Sequence, residues 1–239
     1  MLNGKVVVVV GGAQGIGRAT ARLCVQDEAQ VVIADLDAAT GSQTAKDIGA
    51  SFYTVNVADE VSVQAMANYL DQMYSKIDVL IQTAGILSGA YTPLEQFTAE
   101  TFRAVLDVNI TGTFLCVKHL VPLLRLSKRG VILLIASDTT SSSYSSFAFG
   151  TSKGGVTSLA ATLAKRLEND NIRVNVISPG NIDTGMKRAV IAVEAERTGI
   201  NFEEAIRNSK LGSAEGIAKI LCWLASDEAD YVRGVITTR

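Results

Sequence analysis

Seven short apolar runs recur along the chain, and nearly every one is followed by a longer segment of helical period. The runs are KVVVVV (Lys5–Val10), AQVVIAD (Ala29–Asp35), SFYTVNV (51–57), IDVLIQTAG (77–85), GVILLIAS (130–137), IRVNVISPG (172–180) and GVITT (234–238). Most are apolar at successive positions rather than alternate ones, so both faces of each strand must be covered. Strands covered on both faces, each followed by a helix, predict an α/β fold with one doubly wound parallel sheet, Rossmann-like, and helices on both sides. The spacing predicts helices opening near Gly15, over Thr40–Ile48, over 60–75, over a long stretch Thr98–Leu126, and across Phe149 and Lys153.

Nothing in the chain reads as a linker or an internal repeat, so residues 1–239 are expected to form a single domain. The mixed segment Thr184–Leu211 breaks the rhythm and is a candidate lid over a pocket. Net charge is −2 with no basic cluster, which argues against nucleic acid as a partner. The opening apolar run is too short to span a membrane and no signal-peptide pattern follows it. A soluble cytoplasmic protein with no membrane partner is expected. The three cysteines, Cys24, Cys116 and Cys222, lie far apart in apolar helical patterns and form no C-x-x-C. They read as small buried apolar residues, and no metal site is expected.

The turn after the first strand, VGGAQGIGRA, carries Gly11, Gly12, Gly15 and Gly17. Glycine lets backbone turn tightly and approach a pyrophosphate, whose charge the following helix N-terminus meets. The strand–turn–helix context makes this a candidate dinucleotide site, with Gln14 and Ile16 inside the same turn. The second strand ends about twenty residues on in Asp35, followed by Leu36. A carboxylate there accepts from ribose hydroxyls and repels a 2′-phosphate; the plainer alternative is a polar strand end or a helix cap. Arg18 lies inside the helix after the glycines, and no basic residue follows Asp35 directly. NAD is therefore favoured over NADP.

These residues resemble the short-chain dehydrogenase/reductase family. The glycine pattern G-x-x-x-G-I-G, TAG (Thr83, Ala84, Gly85), DVNITGTF with Asn109, IAS with Ser137, GTSKGG with Lys153, and SPGNIDTGM with Pro179, Gly180, Ile182 and Thr184 follow the family's motifs in order over nearly the whole chain. The resemblance implies a single-domain NAD(H)-dependent oxidoreductase acting on a small secondary alcohol or ketone, assembled as a homo-tetramer or dimer through the segments Thr98–Leu126 and Phe147–Glu168. It implies that Ser137 holds the substrate oxygen, that Lys153 binds the nicotinamide ribose, and that Asn109 anchors a water chain behind the lysine. It further implies that the Pro179–Gly180 segment and the Ile182 backbone hold the nicotinamide. Asn56 and Val57 fall where the family sets a residue pair against the adenine.

Phe149 departs from the pattern, because the family's tyrosine proton donor belongs there. A phenyl ring keeps the packing and loses the proton. Tyr144, in the serine-rich stretch upstream, is off the one-turn offset from Lys153 and is the weaker candidate for a replacement. Val10 stands where a threonine is usual, Thr83 where an asparagine is usual. A protein that binds NAD(H) without chemistry, as a sensor or scaffold, is the alternative these departures motivate. His119 lies away from every motif and is expected to be a structural or surface residue, and Trp223 is expected to be a packing residue of a late helix.

Overall fold

A computed structural model of the chain describes residues 1–138 and 146–238. The seven apolar runs form seven parallel strands: β1 (Val6–Val10), β2 (Gln30–Asp35), β3 (Ser51–Thr54), β4 (Val79–Gln82), β5 (Gly130–Ile135), β6 (Ile172–Ser178) and β7 (Gly234–Thr237). Their order in the sheet is β3-β2-β1-β4-β5-β6-β7. The order reverses between β1 and β4, where a crevice opens beyond the strands' carboxyl ends.

The helices are α1 (Gly15–Gln26), α2 (Ala38–Ile48), α3 (Glu60–Tyr74), α4 (Ala99–Leu106), α5 (Gly112–Arg125), α6 (Phe147–Arg166), α7 (Gly185–Thr198), α8 (Phe202–Asn208) and α9 (Ala214–Ala225). Two apolar cores follow from the pleat of the strands. Val8, Val10, Leu80, Ile132 and Leu134 face α3, α5 and α6 on one side. Val7, Val9, Ile33, Ile81 and Leu133 face α1 and α9 on the other. All five β1 valines are buried, which is why that run tolerates no polar position.

The stretch expected as one helix from Thr98 to Leu126 is instead broken. A π-helical turn over Asp107–Thr111 joins α4 to α5, with Asn109 buried in it. The wider turn points the Asn109 side chain out of the helix, where its Oδ1 accepts from the Ile86 backbone N–H at 2.8 Å. The helix expected to Glu168 ends at Arg166, because the chain turns at Glu168–Asp170 to enter β6. The apolar content of Ala99–Arg125 is high enough to cross a membrane by composition, but Leu115, Cys116, Leu120 and Leu124 are spent on the core of the sheet.

Asp78, at the foot of β4, ties three elements together. It accepts from the Val6 N–H at 2.9 Å, Lys76 Nζ at 2.7 Å and Ser127 Oγ at 2.6 Å. Burial pushes this carboxyl up, but the bonds from Lys76, Ser127 and Val6 outweigh it and hold it below its ordinary value. A carboxyl lowered on folding contributes stability above its unfolded value of about 3.9 and loses it as pH falls through the lower folded value. Asp78→Asn is therefore expected to lower the urea midpoint at pH 7, and to flatten the loss of stability between about pH 5 and pH 2. Urea titrations of both proteins across that range check it.

Candidate functional site

A cavity of about 650 Å³ lies at the carboxyl ends of the strands. It falls in the ordinary range for a cofactor or substrate site. Around its wall stand Gly11, Gln14, Gly15, Ile16 and Gly17 from the glycine turn, Asp35 and Leu36 from the end of β2, and Asn56 and Val57 after β3. Thr83, Ala84 and Gly85 follow β4, Ser137 follows β5, Phe149 and Lys153 stand on α6, and Pro179, Gly180, Ile182 and Thr184 follow β6. These candidates thus meet in one space. Gly12 does not line it, and Asn109 sits behind the wall in the π turn.

The glycine turn is shaped for close approach. Gly11 has φ +80°, and a Cβ on it would meet the Ala84 backbone nitrogen at 2.3 Å. A Cβ on Gly17 would meet the Gly11 carbonyl oxygen at 2.2 Å. Backbone this close leaves α1 starting directly at the cavity, with its unpaired N–H groups facing in. Thr83 performs the tie expected of an asparagine: its single hydroxyl proton lies between the carbonyls of Val10 at 2.7 Å and Gly11 at 3.0 Å. The Thr83 and Ala84 N–H groups donate to the same Val10 carbonyl, so the apolar side chain at position 10 costs the junction no anchor.

Asp35 does two jobs. Its Oδ2 accepts from the Ala13 N–H at 2.9 Å and its Oδ1 from the Asp37 N–H at 3.1 Å. The carboxylate therefore braces the glycine turn without capping either helix, while still lining the cavity with lone pairs to spare. Arg18 points away and lies 3.9 Å from Asp47.

At the other end, Ser146 caps α6 by accepting from the Phe149 N–H at 3.0 Å. One turn on, Lys153 is buried and donates from Nζ to the Ile135 carbonyl at 2.8 Å, two residues before Ser137. The ammonium lies 5.7 Å from the centre of the Phe149 ring, the stacking that a spacing of four on a helix provides. Burial lowers the Lys153 pKa to about 8. The Asn109 amide is fully committed: besides accepting from Ile86 N–H, its Nδ2 donates to the Ile86 carbonyl and to Ser152 Oγ, both at 2.9 Å. Ser152 Oγ in turn donates to the Phe149 carbonyl at 2.8 Å. These bonds lock α6, the π turn and the loop after β4 into one unit. Tyr144 lies outside the described residues.

The wall also includes Ile86, Leu87, Lys187 and Val190, which no motif covers, and Val108, Asn181 and Met186, which lie within DVNITGTF and SPGNIDTGM but were assigned no role there. Met186, Lys187 and Val190 are on α7, inside the lid segment, and their apolar-and-basic mixture gave no pattern to read. The two ends of that segment are stapled together: Asp183 N–H donates to the Gly212 carbonyl and Gly212 N–H to that of Asn181, both at 2.8 Å. Cys24 and Cys222, 198 residues apart, meet in the core with sulfurs 3.6 Å apart. The Cys222 contact and burial hold the Cys24 thiol well above its ordinary pKa, and burial pushes Cys116 up to about 12. Cys24 and Cys116 are therefore poor thiolates, and all three cysteines are buried packing residues. His119 Nε2 lies 2.9 Å from Glu60 on the surface. Trp223, on α9, is 40% exposed and only partly a packing residue.

The family model described as enoyl-(acyl carrier protein) reductase matches residues 11–238. The chain belongs to the short-chain dehydrogenase/reductase family. It is 37% identical to tropinone reductase-like 2 of Erythroxylum coca over 98% of this chain and 88% of that one. It is 34% identical to (+)-borneol dehydrogenase 1 of Salvia officinalis over 98% of this chain and 91% of that one. Among solved structures, levodione reductase superposes with a TM-score of 0.88 at 27% identity, covering 99% of this chain and 96% of the other. As a short-chain dehydrogenase/reductase, the chain has an oxidoreductase's fold, with the cavity at the switch point of the sheet.

Proposed function

We propose that this protein is an NAD(H)-dependent oxidoreductase interconverting a secondary alcohol and a ketone, slowed in this chain by Phe149. The observation that carries the reading is the shared cavity: the glycine turn and Asp35 line one end, Ser137, Phe149 and Lys153 the other. The cradle fits a dinucleotide, since backbone packing at Gly11 and Gly17, with no room for a side chain, brings the start of α1 to the cavity wall, where its N–H groups can meet a pyrophosphate. NAD supplies a hydride acceptor, and its reduced form a hydride donor. The α1 N–H groups meet the pyrophosphate charge, Asp35 accepts from the adenosine ribose, and Asn56 and Val57 flank the adenine. Lys153 holds the nicotinamide ribose. The backbone from Pro179 to Ile182 and Thr184 seats the nicotinamide amide. Ser137 donates to the substrate oxygen. The α7–α8 segment covers the substrate, and its Met186 and Val190, with Ile86 and Leu87 opposite, favour an apolar one.

Phe149 leaves the oxygen without the proton that a phenol would bring. A second reading, an NAD(H)-binding sensor or scaffold without chemistry, draws on that same ring. NADH binding without turnover of any alcohol or ketone, even by Phe149→Tyr, would favour the sensor. Assembly as a tetramer or dimer through α5 and α6 is part of the proposal; Phe114 and Phe147 are 46% and 45% exposed there.

Among the described lining residues, the β2 end carries Asp35 and Asp37 and no base, which supports NAD. A 2′-phosphate beside a carboxylate is repelled at short range. NADPH is expected to bind at least about tenfold more weakly than NADH, a difference of about 1.4 kcal/mol. Asp35→Ser is expected to narrow that gap, as read by cofactor fluorescence titration. An NADPH preference in the unaltered chain would contradict the assignment.

A further inference from the structure

We propose that Lys153 is the acid of this chain: through one water in the space a phenol hydroxyl would fill, its ammonium supplies the proton that Phe149 lacks. The proposal rests on the oxidoreductase reading above and assigns the lysine a proton-delivering role besides its hold on the ribose. Three observations carry it. Phe149 presents carbon only, and its buried ring lines the cavity one turn above the lysine. Lys153 lines the same cavity, and the carbonyl partner of its Nζ, Ile135, lies two residues from Ser137, so lysine and serine share one strand end. A lysine ammonium has three protons, of which the Ile135 carbonyl takes one. Finally, the titratable groups among the described lining residues are Asp35 and Asp37 at the β2 end, Lys153, and Lys187 on α7. Asp35 is held at the turn by two backbone bonds, and Asp37 caps α2 by accepting from Thr40 N–H at 3.0 Å. Lys187 has an interaction of its own on the lid.

The step balances. The carbonyl carbon gains a hydride from the reduced nicotinamide, forming a C–H bond as the donor's breaks. The carbonyl π pair moves to oxygen, which takes a proton from the water, and the water takes one from Nζ. Lys153 is left as a neutral amine and recovers its proton from solvent. In the reverse direction the neutral amine is the base. General acid catalysis reaches its target directly or through one intervening water.

The burial that holds the ammonium near pKa 8 sets the pH dependence. Reduction requires the ammonium, so its rate is expected to fall about tenfold per pH unit above that value, and oxidation to rise through the same point. The test measures NADH-dependent reduction of a ketone that Phe149→Tyr turns over, using excess unaltered enzyme, from pH 6 to pH 10. Alongside it, ¹⁵N-lysine NMR reads the Lys153 titration directly, without turnover. The expected result is a slow reaction whose limb coincides with the NMR titration and disappears in Lys153→Arg, which keeps a cation beside the ribose but titrates far above the range. Lys153→Met is expected to abolish the reaction while fluorescence still reports NADH binding. Tyr144→Phe and Lys187→Met are expected to leave the limb in place.

The proposal is overturned if the limb persists in Lys153→Arg or Lys153→Met, if it vanishes in Tyr144→Phe or Lys187→Met, or if Lys153 titrates away from it. It is also overturned if the unaltered chain transfers no hydride to a ketone that Phe149→Tyr reduces, an outcome that leaves the oxidoreductase reading standing. Failure of Phe149→Tyr on every ketone removes both.

Discussion

Replacing Phe149 by tyrosine is expected to raise turnover of a ketone or secondary alcohol by about a hundredfold to ten-thousandfold. That is about 3–5 kcal/mol of barrier. The phenyl ring already lines the cavity, is capped into place by Ser146, and is anchored through its carbonyl to Ser152 and Asn109. Adding one hydroxyl therefore places a proton donor on a frame that exists. The Lys153 ammonium stands 5.7 Å from the ring centre, close enough to favour the ionised phenol and pull its pKa below the usual value of about 10. The gain is expected in kcat, with NADH affinity changed by less than about threefold, because the proposed ribose and pyrophosphate contacts are assigned to other residues. Steady-state rates with fluorescence titration of NADH separate the two, and ultraviolet titration of the new phenol reads its pKa. An unchanged rate would mean that the acid comes from elsewhere or that the protein is not a catalyst.

The second large effect belongs to the glycine turn. Gly17→Ala is expected to weaken NADH binding by about tenfold to a hundredfold. The new Cβ would lie 2.2 Å from the Gly11 carbonyl oxygen and 2.6 Å from Thr83 Oγ1. Neither can yield cheaply, since Thr83 is itself the tie between the ends of β1 and β4. The first turn of α1 must back away, carrying its N–H groups from the proposed pyrophosphate site. Overpacking of this kind costs about 1–3 kcal/mol, and each 1.4 kcal/mol is tenfold in affinity. Gly154→Ala is the matched control: it lies in α6 with no atom within 4 Å of an added Cβ. It is expected to hold or slightly raise the melting temperature and to leave NADH binding unchanged. Thermal denaturation with and without NADH reads both variants, because a ligand that binds the native state stabilises it by an amount that grows with the logarithm of its concentration over Kd. Equal NADH protection of Gly17→Ala and the unaltered protein would remove the dinucleotide from this turn.

Strand and helix order was legible in the chain because it is written in local period. A run apolar at every position must be covered on both faces, and seven such runs separated by helical segments leave few arrangements other than one parallel sheet. The glycine turn, Asp35, Ser137 and the Phe149–Lys153 pair were legible for a similar reason: each sits at a strand end or at a helical spacing of four, and strand ends in such a sheet converge on one crevice. Contacts between distant segments were not legible. The π turn at Asn109 arises because its amide reaches a loop residue, Ile86, that no periodicity connects to it. Met186 and Val190 enter the cavity wall because Asn181 and Asp183 pair with Gly212 and close the base of the lid segment. Cys24 and Cys222 meet across the α1–α9 contact after 198 residues of intervening chain. Local pattern is set by each residue's neighbours in sequence, which specify an element unless a distant contact intervenes, as at Asn109. Wall, kink and cysteine pair depend on which elements stack against each other, and that is decided by burial of whole faces in the assembled core.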